Sequence, residues 1–284
     1  MTDIPNHPLG EAEVMMRDVG GRLLRVARWM ARTKSDEPPL LFFNGIGANI
    51  ELVAPFARAL GDRDFIIFDM PGVGESPDPV LPYNAITMSR TAATLMDDLG
   101  YTGQLDVMGV SWGGAMAQNF ALQYGARVRK LILAATTAGW MMVPGKLSAL
   151  SKMADPRRYV DPNYMAKNFA TLYGGTTEGS QGHVGRLKPP SGVGYVYQLL
   201  AMIGWTSAPL LPFMLKAQTL ILMGSADNVV PLANGRILAT LIPGSELRII
   251  EGGGHLFLVT QAEESLGIIT EFLDRPAVAD STAA

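Results

Sequence analysis

The sequence predicts an α/β fold, a mostly parallel sheet flanked by helices, with a mainly helical segment inserted between two strands. Three observations carry this. Short continuous apolar runs recur at 40–43, 65–68, from Leu105, 131–134 and 219–223, the mark of strands buried on both faces. Helical patterns lie between most of them. The rhythm then stops from about Gly139 to Lys216, where helical patches occur without a clean buried strand.

Taken in order, residues 1–10, including His7, read as a loose tail. Two β-like runs at 13–18 and 22–30, joined by Gly20-Gly21, predict a hairpin. A polar loop covers 32–39. The strand at 40–43 runs into Asn44-Gly45-Ile46-Gly47-Ala48-Asn49, and 52–60 has helical spacing ending at Gly61. The strand at 65–68 is closed by Asp69-Met70-Pro71-Gly72-Val73-Gly74. An amphipathic helix over 85–99 stops at Gly100. The strand from Leu105, its helix and the strand at 131–134 follow. Past the insertion come a strand at 219–223, a helix around 234–241, a last strand at 246–250 and a final helix over 263–273. Residues 275–284 read as disordered. Alternating strands and helices imply right-handed βαβ units. The expected division is a core of 1–138 and 217–284, with 139–216 as a lid over the strand ends.

Composition narrows the function classes. At 284 residues and 48% apolar, the chain can bury a substantial core as one large domain. A net charge of −3 implies no basic face, so no nucleic-acid partner is expected. Without cysteine there is no disulfide framework and no thiolate metal site. The polar start lacks the basic and apolar regions of a signal peptide, so a cytoplasmic protein is expected. No cofactor or metal is expected either. Gly45-x-Gly47 lacks the third glycine of a dinucleotide site, Gly72-Val73-Gly74 lacks the P-loop ending, and no acid–histidine cluster has ligand spacing.

The chemistry concentrates at Gly109-Val110-Ser111-Trp112-Gly113. Strand, sharp turn and helix in that order hold a serine in a strained backbone with its hydroxyl above the sheet edge. Gly109 and Gly113 permit the close strand–helix crossing. A serine hydroxyl needs a base to take its proton. His7 lies in the tail and His183 in a polar part of the insertion, whereas His255 follows the last strand at the same edge as Ser111. The imidazole in turn needs a carboxylate, and Asp227 follows the strand at 219–223. Asp69 reads as turn chemistry and Asp106 as pointing away. The order Ser, Asp, His is that of the α/β-hydrolases. The developing oxyanion needs N–H donors, for which the backbone of Trp112 and Ile46 is expected.

Residues 189–215 contain no charge but include Tyr197, Met202, Ile203, Trp205, Leu211 and Phe213. Pro209 and Pro212 and the glycines argue against a membrane span. Trp140, Met141 and Met142 open the insertion in the same style. Most such residues are expected to pack the lid, while some, with Trp140, Met141, Met142 and Trp205 as candidates, line an apolar acyl pocket or face a hydrophobic surface.

Beyond these readings, the stretches 43–49, 68–74, 109–114 and 253–258 resemble the intracellular, medium-chain-length poly(3-hydroxyalkanoate) depolymerases. So do Val143-Pro144-Gly145-Lys146, Pro156-Arg157-Arg158-Tyr159-Val160, Tyr173-Gly174-Gly175 and Gly204-Trp205-Thr206-Ser207 within the insertion, which are the more informative matches. The resemblance implies an enzyme that attacks storage polyester at the granule surface through Ser111, Asp227 and His255. Two alternatives stay open. One is a small-molecule esterase, thioesterase or cofactor-free perhydrolase of the same fold. The other is a non-catalytic granule-binding or receptor-like protein.

Overall fold

A computed structural model describes Leu9 and residues 11–33, 36–153, 155, 157–178 and 180–276. The tail with His7, the Pro156 of the resemblance and residues 277–284 lie outside the described residues. The strands are β1 (Glu13–Val19), β2 (Arg22–Trp29), β3 (Leu40–Phe43), β4 (Phe65–Phe68), β5 (Leu105–Val110), β6 (Val128–Ala134), β7 (Gln218–Gly224) and β8 (Glu246–Ile250). They form one sheet in the order β1-β2-β4-β3-β5-β6-β7-β8. The β1–β2 hairpin and the β2–β4 pair are antiparallel, and every other neighbouring pair is parallel.

The helices of the core are α1 (Ala54–Leu60), α2 (Ala85–Asp98) and α3 (Trp112–Gln123). The 139–216 segment carries α4 (Leu147–Met153), α5 (Arg157–Val160), α6 (Pro162–Tyr173), α7 (Ser180–Arg186), α8 (Gly192–Leu200) and α9 (Leu211–Met214). After it come α10 (Leu232–Leu241), α11 (Phe257–Thr260) and α12 (Ala262–Asp274). Successive strand residues point to opposite faces, so a strand covered on both sides must be apolar throughout. Leu41, Phe43, Ile66 and Phe68 face one core with α2, α3 and α10. Leu40, Phe42, Phe65 and Ile67 face the other with α1 and α12. This is why the apolar runs show no alternation.

The helix expected over 52–60 splits into a single 3-10 turn, Ile50–Leu52, and α1. Pro55 sits in the first turn of α1, where its fixed φ and missing N–H cost nothing. The β3 strand lies between β4 and β5. The chain leaves β3 toward one side and returns on the other, which opens a crevice at the carboxyl ends of β3 and β5. Open α/β sheets bind ligands at such a point.

Candidate active site

Ser111 ends β5 with φ 55° and ψ −120°, a conformation that L residues rarely adopt. The turn is over-determined by its surroundings. Ser111 donates its N–H to the carbonyl of Ala134 at 2.9 Å, and Thr136 Oγ1 donates to the Ser111 carbonyl at 2.7 Å. The flanking glycines answer to two different neighbours. A Cβ on Gly109 would lie 2.2 Å from the Gly113 carbonyl oxygen, whereas one on Gly113 would lie 2.1 Å from that of Phe43 in β3. Only the first clash is the expected strand–helix crossing. The second keeps the helix start beside the 44–47 loop.

His255 Nε2 stands 3.0 Å from Ser111 Oγ, and His255 Nδ1 stands 2.8 Å from Asp227 Oδ2. The carboxylate can only accept, which leaves the proton on Nδ1 and the Nε2 lone pair facing the hydroxyl. Asp227 is itself held. Its Oδ1 accepts the N–H groups of Val229 at 2.7 Å and Val230 at 2.9 Å. The competing acids are occupied elsewhere. Asp69 accepts from the Ile50 N–H at 2.8 Å and faces Arg25 at 3.3 Å, while Asp106, at the other end of β5, pairs with Arg63 and Arg129.

No backbone hydrogen bond takes up the Ile46 or Trp112 N–H among the described residues. Trp112 begins α3, so its N–H sits at the positive end of a helix of 12 residues. Gln198 of α8, fully buried, braces both sides of this region. Its Oε1 accepts from Gly47 N–H at 2.9 Å, and its carbonyl accepts from Trp112 Nε1 at 3.0 Å.

Two cavities meet at Ser111. The first, of about 350 Å³, is walled by apolar side chains such as Leu52, Phe56 and Leu258 and also takes in Ile46 and His255. The second, of about 650 Å³, is lined by Trp112, Met142, Met202, Trp205 and Val230, with Trp140 at its rim. Of the pocket residues expected in the insertion, Trp140, Met142 and Trp205 therefore line a cavity, and Met141 lines neither and is exposed. Among the described residues no group of three or more acids and histidines is placed to hold a metal ion.

Sequence reasoning set His183 aside, yet it is only 8% exposed and lines the first cavity. Burial and the adjacent Arg186 pull its pKa down to about 4, so it is neutral at pH 7. The i, i+3 spacing of His183 and Arg186 on one helix face was the signal available. Tyr173 was quoted only within a motif. It accepts the His255 N–H on its carbonyl at 2.7 Å, and its ring lies parallel to the imidazole with centroids 6.3 Å apart.

Against known proteins, residues 38–175 match the family described as the alpha/beta hydrolase fold. A poly(3-hydroxyalkanoate) depolymerase of Ectopseudomonas oleovorans is 48% identical over 242 residues, spanning 84% of each chain. This chain belongs to the poly(3-hydroxyalkanoate) depolymerase family. Covering 84% of this chain, that likeness extends into the insertion as well as the sheet. A 3-oxoadipate enol-lactonase of Acinetobacter baylyi is 27% identical over 81% of this chain and 86% of its own. Among solved structures, an esterase from Exiguobacterium antarcticum superposes with a TM-score of 0.77 at 21% identity, covering 92% of this chain and 98% of that one. That similarity establishes the fold alone.

The depolymerase-like motif Tyr173-Gly174-Gly175 has a physical reason here. A Cβ on Gly174 would lie 2.0 Å from the Ala226 carbonyl, and one on Gly175 2.3 Å from Gly254 N. The end of α6 thus packs against the loops that carry Asp227 and His255.

Proposed function

We propose that this chain is a serine esterase that cleaves poly(3-hydroxyalkanoate), with Ser111 as nucleophile, His255 as general base and Asp227 as its orienting carboxylate. The single observation that carries the reading is the relay Ser111–His255–Asp227, with contacts of 3.0 and 2.8 Å, at the junction of two apolar cavities. His255 Nε2 takes the Ser111 proton as Oγ attacks the ester carbonyl. The Ile46 and Trp112 N–H groups hold the oxyanion. His255 then gives the proton to the departing 3-hydroxyl as the acyl–oxygen bond breaks. Water adds to the acyl-enzyme through the same imidazole, releasing the acid and restoring the serine.

The 139–216 segment serves as a cap over this junction, and it is also where the protein meets its insoluble substrate. Tyr197, Met202 and Trp205 pack against the core, and Leu211 is fully buried. Trp140 (89%), Phe213 (77%) and Ile203 (76%) instead stand exposed, which suits contact with a hydrophobic granule surface. No helix among the described residues is long and apolar enough to cross a membrane.

The test is clearance of medium-chain polyester suspensions beside a panel of soluble esters. Ser111→Ala and His255→Ala each lower polyester hydrolysis by about 10⁴-fold or more with an unchanged circular dichroism spectrum. Undiminished turnover in either variant overturns the assignment. So does a failure of a fluorophosphonate probe to label Ser111.

A further inference from the structure

The first cavity contains a charge pattern that ester hydrolysis alone does not call for. Its lining includes Arg158 and Arg186 and no Asp or Glu. Arg158 is 4% exposed and reaches the Tyr195 hydroxyl at 3.1 Å. Arg186 has no carboxylate within ion-pair distance among the described residues, and its Nε is buried without a hydrogen-bond partner. Its guanidinium lies beside Gly182, which shares the cavity wall. Next to it, the buried His183 leaves Nδ1 without a partner. Burial and the nearby Arg58 both disfavour the Arg186 charge. A cation kept against an apolar cavity, with an unsatisfied imidazole at its side, is a site short of an anion.

Which part of the substrate enters this cavity follows from the position of His255. The leaving oxygen must receive its proton from His255 Nε2. His255 lines the first cavity and not the second, whereas Ser111 lines both. The leaving alcohol therefore departs into the first cavity, and the acyl chain lies along Trp112, Met202 and Trp205 in the second. In a polyester of 3-hydroxy acids, the leaving alcohol is the portion that runs to the carboxyl end. At about 350 Å³ the first cavity sits at the small end of ligand-site sizes, suited to a short terminal portion.

We propose that Arg186, assisted by His183, binds the free terminal carboxylate of the polyester, so that cleavage begins at the carboxyl end. This inference rests on the esterase reading above. Cleavage needs only water. The acyl–oxygen bond breaks, the departing 3-hydroxyl of the carboxylate-bearing unit takes its proton from His255, and water later releases the acyl group from Ser111.

The experiment compares two soluble substrates, a dimer of a medium-chain 3-hydroxy acid and the methyl ester of that dimer. Wild-type protein favours the free acid in kcat/KM. Arg186→Met lowers the acid-to-methyl-ester ratio by about tenfold or more, mainly through KM, and Arg186→Lys restores part of it. Equal wild-type rates on the two dimers overturn the inference without need of a variant, as does an unchanged ratio in a folded Arg186→Met protein. If the wild type cleaves neither dimer nor polyester, the esterase reading itself fails, and this inference with it.

Discussion

Ser111, His255 and Asp227 are 28 to 144 positions apart in pairs, and each is held by hydrogen bonds of its own, from near neighbours for Asp227 and from distant segments for Ser111 and His255. Ser111 is locked by Ala134 and Thr136, Asp227 by the N–H groups of Val229 and Val230, and His255 by Tyr173. Preorganisation of this kind lets a hydroxyl act as a nucleophile without rearrangement at the moment of attack. His183 makes a different prediction. Its imidazole titrates near 6.5 in an unfolded chain but only near 4 when buried. Between those values the unfolded state binds a proton that the fold does not. Stability is thus full above pH 6.5 and declines as pH falls toward 4, by up to about 3 kcal/mol. Urea midpoints measured from pH 7 to 4.5 should show this slope in the wild type and a flatter one in His183→Gln. Matching slopes would show that burial of His183 does not govern acid sensitivity.

At the scale of elements, a buried lysine helps to fasten α12 to the sheet, beside Arg129, which donates to the Leu273 carbonyl at 3.2 Å. Lys130 in β6 is fully buried, and its Nζ donates to the carbonyls of Phe272 and Leu273, each at 2.9 Å, and to that of Arg275. Phe272 and Leu273 belong to the last helical turn and Arg275 is its C-cap, where carbonyls have no intrahelical donors left. The ammonium both caps the helix and complements the negative end of its dipole. Lys130→Met keeps the length of the side chain and takes the ammonium from three carbonyls, of which Leu273 keeps Arg129 as a donor. The expected loss is about 3 kcal/mol, read as a lower urea midpoint, with faster amide exchange confined to α12. The 139–216 segment is tied down in a comparable way. Lys188 bridges Glu51 at 2.8 Å and Glu75 at 2.9 Å, and Gln198 holds Gly47. Arg25 sits beneath both acids, and the Glu51 carboxyl is held down to a pKa of about 2 by its hydrogen bonds to Lys188 and Asn49 despite burial.

Over the whole molecule, the two ends of the sheet do different work. The candidate site collects at the carboxyl ends of β3, β5, β7 and β8, where the strand order opens a crevice. At the opposite end, Asp106 is fully buried between Arg63 at 3.2 Å and Arg129 at 2.6 Å. Replacing it by asparagine leaves two arginines facing a neutral amide, a loss of about 3–5 kcal/mol. For Asp106→Asn we expect a melting temperature lower by about 5 °C or more. Turnover per folded molecule at 25 °C should stay near wild type, because the change is one strand length from Ser111. A variant whose kcat falls in parallel with its stability would show that the two ends are coupled.

How much of this was legible in the sequence follows from the range of the forces involved. Strand runs, the hairpin at Gly20-Gly21 and the serine turn are governed by neighbours within a few residues, so 40–43, 65–68 and 246–250 could be read directly. The order Ser111, Asp227, His255 was equally legible, because each follows a strand and all parallel strands end at one edge. The roles of Gln198, Tyr173 and His183 were not. Each acts through a contact with another part of the fold, such as Gln198 with Gly47 across 151 positions, and no local pattern encodes such a contact. The apolar, charge-free run at 189–215 was visible, but which of its side chains face the core and which face solvent was not. Leu211 and Phe213 share its composition, and only packing buries one and leaves the other bare. By itself the sequence determined the fold class and the meeting of Ser111, Asp227 and His255 at one sheet edge, since periodicity and chain order are local and topological properties. Tertiary structure alone decided the split of the site into two cavities and the placement of Arg186 beside one of them, because cavity shape depends on how distant segments pack together.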